Sequence, residues 1–112
     1  MDKIAKYESY ILKILDEYAA TPYANMPKVE RQVVADKQNH HYQLMTFGWN
    51  GDEFIHHCPL HFDIKNGKIW LQINWTDSNP VEALEQLGVP KTDIVLGWIP
   101  EEERAFTDFA VN

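Results

Sequence analysis

Two runs of alternating apolar residues, FIHHCPLHFDIK and KIWLQINWT, meet at Asn66-Gly67. Asn-Gly between such runs is the strongest short hairpin signal, because a type I′ turn needs two residues that tolerate positive φ. Counting outward from that turn, Lys65 faces Lys68, Ile64 faces Ile69, Phe62 faces Leu71, Leu60 faces Ile73 and Cys58 faces Trp75. Beyond the lysines every one of these pairs is apolar. The other face carries His61 against Gln72, Pro59 against Asn74 and His57 against Thr76. One side of this hairpin is therefore suited to a core and the other to water.

A second Asn-Gly pair, Asn50-Gly51, follows a strand running from His40 to Trp49. Its register sets Trp49 against Asp52, Phe47 against Phe54 and Met45 against His56. The stretch Val29 to Asp36 supplies another strand, joined through the polar turn Lys37-Gln38-Asn39. The expectation is a four-stranded antiparallel meander. Met45, Phe47, Trp49, Phe54, Leu60, Phe62, Ile64, Ile69, Leu71, Ile73 and Trp75 would share one face, which a helix must cover. Pro59 conflicts with a regular central strand, since it has no N–H to donate. A bulge near Cys58-Pro59 is expected, shifting the pairing with the preceding strand.

Helices flank the meander. Over residues 3–19, Ile4, Tyr7, Ile11, Leu15 and Tyr18 recur at helical spacing, and Thr21-Pro22 ends the run. Asn79 is a good N-cap, Pro80 fits the first helical position, Glu82 completes a capping box and Gly88 sits where a helix-ending glycine belongs. Val81, Leu84 and Leu87 mark the buried side of that helix. Ile94 to Trp98 fits a short extra strand, and Pro100 with Glu101-Glu102-Glu103 a brief helical turn. The fold class is α+β: a four-stranded antiparallel meander with an N-terminal and a C-terminal helix on one face, as one domain over residues 1–112.

Composition limits function. A net charge of −7, with no run of Lys and Arg, argues against a grip on nucleic acid, where phosphate neutralisation supplies most of the affinity. The single Cys rules out an internal disulfide and suits a reducing compartment. MDKIAKYESY lacks the apolar core of a signal peptide, and no apolar run is long enough to span a bilayer. A cytoplasmic protein without membrane contact is expected.

Five histidines raise the question of a metal. His57 and His61 lie about 13 Å apart along a strand, too far for one ion. Extending the Asn50-Gly51 register places His40 across from His61, near Asp63. A metal-assisted hydrolase or nuclease using His40, His61 and Asp63 is the alternative reading, and Asp63-Ile64-Lys65 is a short nuclease-like pattern. Cys58, beside Trp75 on the apolar side, reads as a small hydrophobe rather than a nucleophile. No phosphate loop or hydrolase motif occurs, so no catalytic residue and no cofactor are expected. The aromatic excess is more informative. Trp98, Arg104, Phe106, Thr107, Asp108 and Phe109 form a candidate partner surface, with Trp49 and Trp70 as further candidates, because interfaces enrich Trp, Phe and Arg.

Several stretches taken in order carry a resemblance: LDEYA closing the first helix, His41-Tyr42-Gln43-Leu44 followed by Gly48-Trp49, CPLHFDIKNGKIWLQ, LGVPKTDIVLGW and the closing RAFTDFAV. Together they resemble the XisI family, the fdxN element excision controlling factors of heterocyst-forming cyanobacteria. The resemblance implies a regulatory protein that works with a XisH-like partner and controls excision of a DNA element by a separate site-specific recombinase. It transfers no catalytic residue. Self-association is left open.

Overall fold

A computed structural model describes residues 2–112. Its elements in chain order are α1 (Lys3–Ala19), β1 (Val29–Asp36), β2 (His41–Asn50), β3 (Glu53–Lys65), β4 (Lys68–Asn74), α2 (Pro80–Gln86), β5 (Ile94–Leu96) and α3 (Glu101–Arg104). The strands form one sheet in the order β1-β2-β3-β4-β5. The first four are antiparallel, as the two Asn-Gly signals imply, but β5 pairs parallel to β4. The expected four-stranded antiparallel sheet is thus corrected to a five-stranded mixed one. The reason is α2, which carries the chain back across the sheet so that Ile94–Leu96 runs beside β4 in the same direction.

Both flanking helices start and stop where their sequences require. The Asp2 carboxylate accepts from the Ala5 N–H at 2.9 Å, and Tyr7, Ile11, Ile14 and Leu15 are buried along one stripe of α1. Asn79 accepts from the Glu82 N–H at 3.1 Å. At the other end of α2, Gly88 takes φ +104°, while Gly88 N–H reaches Glu85 O and Val89 N–H reaches Leu84 O. That is a Schellman cap, which satisfies two carbonyls that the helix leaves unpaired.

The core lies between α1, α2 and one face of the sheet. Tyr42, Leu44, Leu60, Phe62, Ile64, Ile69 and Leu71 meet Ile11, Leu15 and Leu84 there. Asn66 and Gly67 both have positive φ, at 56° and 74°, as a type I′ turn demands. The expected pairs Ile64–Ile69 and Phe62–Leu71 form, but Gln72 is an extra residue in β4, so His61 then pairs with Ile73 and Leu60 with Asn74. The expected pairs Leu60–Ile73 and Cys58–Trp75 do not form.

The predicted bulge at Cys58-Pro59 does form: the register with β2 shifts between Leu44–Leu60 and Thr46–His57. One extra residue reverses which side alternate residues face. Met45, Phe47, Trp49 and Phe54 therefore lie on the opposite side of the sheet from Leu60 and Phe62, and Tyr42, Leu44 and Thr46 occupy the core side of β2 instead. The turn differs as well. Gly51-Asp52, not Asn50-Gly51, forms the loop, with Asn50 paired to Glu53 and positive φ at Gly51.

Candidate functional site

The face of the sheet away from α1 holds most of the chemistry. Register across the strands places Asp36, His41, Asp63, Trp70 and Val95 in one transverse row, with Val34, Gln43 and His61 in the next. Strand geometry alone makes His41 a cross-strand neighbour of Asp63 and puts His61 two residues along from it on the same face. The His41 Nδ1 and His61 Nε2 atoms each lie 2.7 Å from the same oxygen, Asp63 Oδ1. Gln72, the extra residue of β4, donates from Nε2 to Asp63 Oδ2 at 3.0 Å. Every oxygen of that carboxylate is engaged.

This geometry sets the charges. Burial pushes the Asp63 carboxyl up, but the hydrogen bonds from His41, Gln72 and His61 outweigh it, and its pKa falls below the ordinary carboxylate value. The bond to Asp63 and its negative charge hold the His41 imidazolium above its usual pKa.

His40 is not part of the cluster, so the expected His40–His61 pair is corrected to His41 with His61 and Asp63. The loop at Gly51-Asp52 and the bulge at Cys58-Pro59 together move β2 three positions along β3, so Gln43 faces His61 and His41 faces Asp63. The turn before β2 also runs one residue longer than expected. Asp36 caps it, accepting from the Gln38 and Asn39 N–H groups and from the Asn39 side chain. His40 completes the turn at φ +59°, with Nδ1 3.1 Å from the Tyr42 hydroxyl. The Asp36–Asn39 spacing was the sequence signal for this longer turn. Tyr42 donates in turn to Glu8 on α1. Lys65 is exposed beside the hairpin turn, its ammonium 4.8 Å from the Trp70 ring. Cys58 sits at the bulge and donates to Leu60 O at 3.3 Å, and burial raises its thiol pKa.

The candidate interface residues separate into two groups. Trp70 is only 7% exposed, covered by the C-terminal tail, with the Arg104 guanidinium 5.1 Å over its ring. Arg104 also donates to Ile99 O and Val111 O, while Thr107 bonds Arg104 O and Phe109 packs at the edge of the core. Trp70, Arg104, Thr107 and Phe109 therefore pin the tail to the sheet. Asp108 and Phe106 are exposed in the same tail, Phe106 almost completely, and Trp98 is half exposed.

A second aromatic group lies along β2 and β3, on the same open face. Trp49 and Phe54, 57% and 52% exposed, pack edge to face at 5.2 Å, and Phe54 stacks on His56 at 6.4 Å. Among the described residues, no strand pairs with Glu53 to Cys58 on the side away from β2, because β4 ends at Asn74. In a two-residue hairpin the residues flanking the loop exchange hydrogen bonds, so Asn50–Glu53, Gly48–Ile55 and Thr46–His57 bond inward. The backbone groups of Phe54 and His56 then point outward, toward the free edge. Sequence reasoning named Trp49 but missed Phe54 and His56, because it carried the core face unbroken past the bulge.

On the helix side, a groove of about 580 Å³ runs between α1, the connector after it and the start of α2. Tyr18, Tyr23, Arg31, Pro59 and Trp75 line it, and Trp75, expected in the core, is 77% exposed there. Arg31 lies 4.3 Å over the Tyr23 ring and donates to Thr21 O. No helix among the described residues is long and apolar enough to cross a membrane.

The architecture has close counterparts. A crystal structure of a XisI-like protein from Anabaena variabilis is 45% identical and superposes with a TM-score of 0.90, covering 97% of this chain and 99% of that one. The fdxN element excision controlling factor XisI from the same organism is 30% identical with a TM-score of 0.81, covering 99% of this chain and all of that one. No curated protein matches the chain. The family model described as XisI protein matches residues 1–111, and the chain belongs to the XisI family.

Proposed function

We propose that this chain is a non-catalytic regulatory protein that binds a XisH-like partner and so controls excision of a DNA element by a site-specific recombinase. Its family supports the excision role, as does its likeness to a protein named as the fdxN element excision controlling factor. The partner-binding part rests on one observation. The β2–β3 end combines an unpaired strand edge with the exposed Trp49–Phe54–His56 ladder. Open strand edges are templates for a partner's strand, and native proteins commonly block them. Here only Glu53 places a formal charge in the edge segment, while Trp and aromatic neighbours offer the anchors that interfaces use. The −7 charge suits a protein partner better than a duplex. Nothing in this reading asks the histidine cluster for chemistry.

Co-expression with a XisH-like protein, followed by size-exclusion chromatography with light scattering, tests the proposal. The expected result is a stable complex whose mass gives the stoichiometry. Separate elution of the two proteins at micromolar concentration removes the stable-partner model.

A further inference from the structure

The geometry points to a binding site for one divalent cation of the zinc class formed by His41, His61 and Asp63, with Gln72 holding the carboxylate in place. The ligand atoms are His41 Nδ1, His61 Nε2 and Asp63 Oδ1, all within 4.8 Å of one another. Two come from one strand at positions that share a face, and the third from the strand paired with it. Such a set needs no loop to order it. Tetrahedral bonds of about 2.1 Å would space the donor atoms roughly 3.4 Å apart, so each ring nitrogen need retreat from its 2.7 Å contact with Oδ1 by less than about 1 Å.

Three further features make this a built arrangement. Gln72 already engages Asp63 Oδ2, which leaves Oδ1 to act alone and fixes the carboxylate plane, the role outer hydrogen bonds play around metal ligands. Gly97 backs Gln72: a Cβ there would fall 2.1 Å from Gln72 Oε1, so the bare backbone is what lets the amide sit where it does. Finally, the cluster borders a hollow of about 360 Å³ lined by Val34, Asp36, His41, Gln43 and His61, and the His41 side chain is half exposed. An ion could enter from solvent and keep water in its remaining positions. Two imidazoles with one carboxylate favour zinc and its transition-metal neighbours over magnesium or calcium, which prefer oxygen ligands alone. The site stands apart from the partner surface, so it holds or fails independently of the function proposed above.

Isothermal titration of the full chain with zinc chloride tests the site, with magnesium chloride as the control. The expected result is one equivalent of zinc bound and no magnesium. Asp63→Asn and His61→Ala should each weaken zinc by 100-fold or more, and Gln72→Ala by about 10-fold. Circular dichroism shows whether each variant is folded. If Asp63→Asn and His61→Ala do not fold, His41→Gln decides the matter: its half-exposed side chain can be replaced without opening the core, and it should weaken zinc at least 10-fold. No zinc uptake by the native chain overturns the proposal. So does undiminished uptake by the folded variants, which would place the ion on other histidines such as His56 and His57.

Discussion

The two ends of β3 have opposite fates, although both carry large apolar residues. From Leu60 to Ile64 the strand lies between β2 and β4, and Leu60, Phe62 and Ile64 are buried beneath the helices. From Glu53 to Cys58 it has β2 alone for a neighbour, and Phe54 is exposed. The difference is one of length and parity. β3 runs for 13 residues against the 7 of β4, so the outer part has no second neighbour. The bulge at Cys58-Pro59 then turns Phe54 away from the helices. A large apolar residue thus marks a buried face only where a covering element reaches it.

Substitution at the two ends should separate them sharply. Phe62→Ala empties a fully buried site and should cost about 3–5 kcal/mol of unfolding free energy in denaturant melts. Equal tolerance of Phe62→Ala and Phe54→Ala would break the contrast. A smaller loss is expected at Gly48, which pairs with Val29 at the start of β1. Its φ is +136°, and an added Cβ would lie 2.5 Å from Lys28 O, so Gly48→Ala should cost about 1–3 kcal/mol in the same assay. Phe54→Ala should change stability by only about 0.5 kcal/mol while weakening the partner complex at least tenfold in a binding titration. If it lowers stability as Phe62→Ala does, the outer end is core after all.

The open face should also show itself in pH dependence. Asp63 has a lowered folded pKa, so its contribution is present above its unfolded value and is lost as pH falls through the folded one. His41 has a raised folded pKa, so its contribution is complete below about pH 6.5 and disappears as pH rises through the higher folded value. Both are in force between those limits. Thermal melts across pH should show a loss at each end, and His41→Gln should remove the alkaline one and shrink the acid one, since Gln72 and His61 still lower the Asp63 pKa. An unchanged alkaline limb in that variant would mean the His41–Asp63 bond contributes nothing.

Local chemistry explains what the sequence disclosed. Asn66-Gly67 fixed its turn and the pairs nearest it, because both residues accept positive φ. Asn79, Pro80 and Gly88 marked α2 for equally local reasons. Pro59 announced a bulge, yet its consequence lay several residues away, where it moved Trp49 and Phe54 to the open face. Gln72 gave no comparable warning, since an extra residue in β4 has no side-chain signature. The His41–His61–Asp63 cluster was legible to within one residue. The loop at Gly51-Asp52 and the bulge together moved β2 three positions along β3, and that set His41 rather than His40 beside Asp63. The parallel β5 depended on where α2 packs, a tertiary outcome that three apolar residues cannot specify. Trp70 faced away from the core as its alternation implied, but the tail that covers it is held by Arg104, a contact with no sequence period.

Amide hydrogen exchange, measured residue by residue in the free chain and after adding a XisH-like protein, tests most directly whether the outer end of β3 is a docking edge. The amides of Phe54 and His56 should exchange rapidly in the free chain and become protected in the complex, while those of Phe62 and Ile64 stay slow throughout. Protection of Phe54 and His56 in the free chain, or none gained when the partner binds, would contradict a docking edge there.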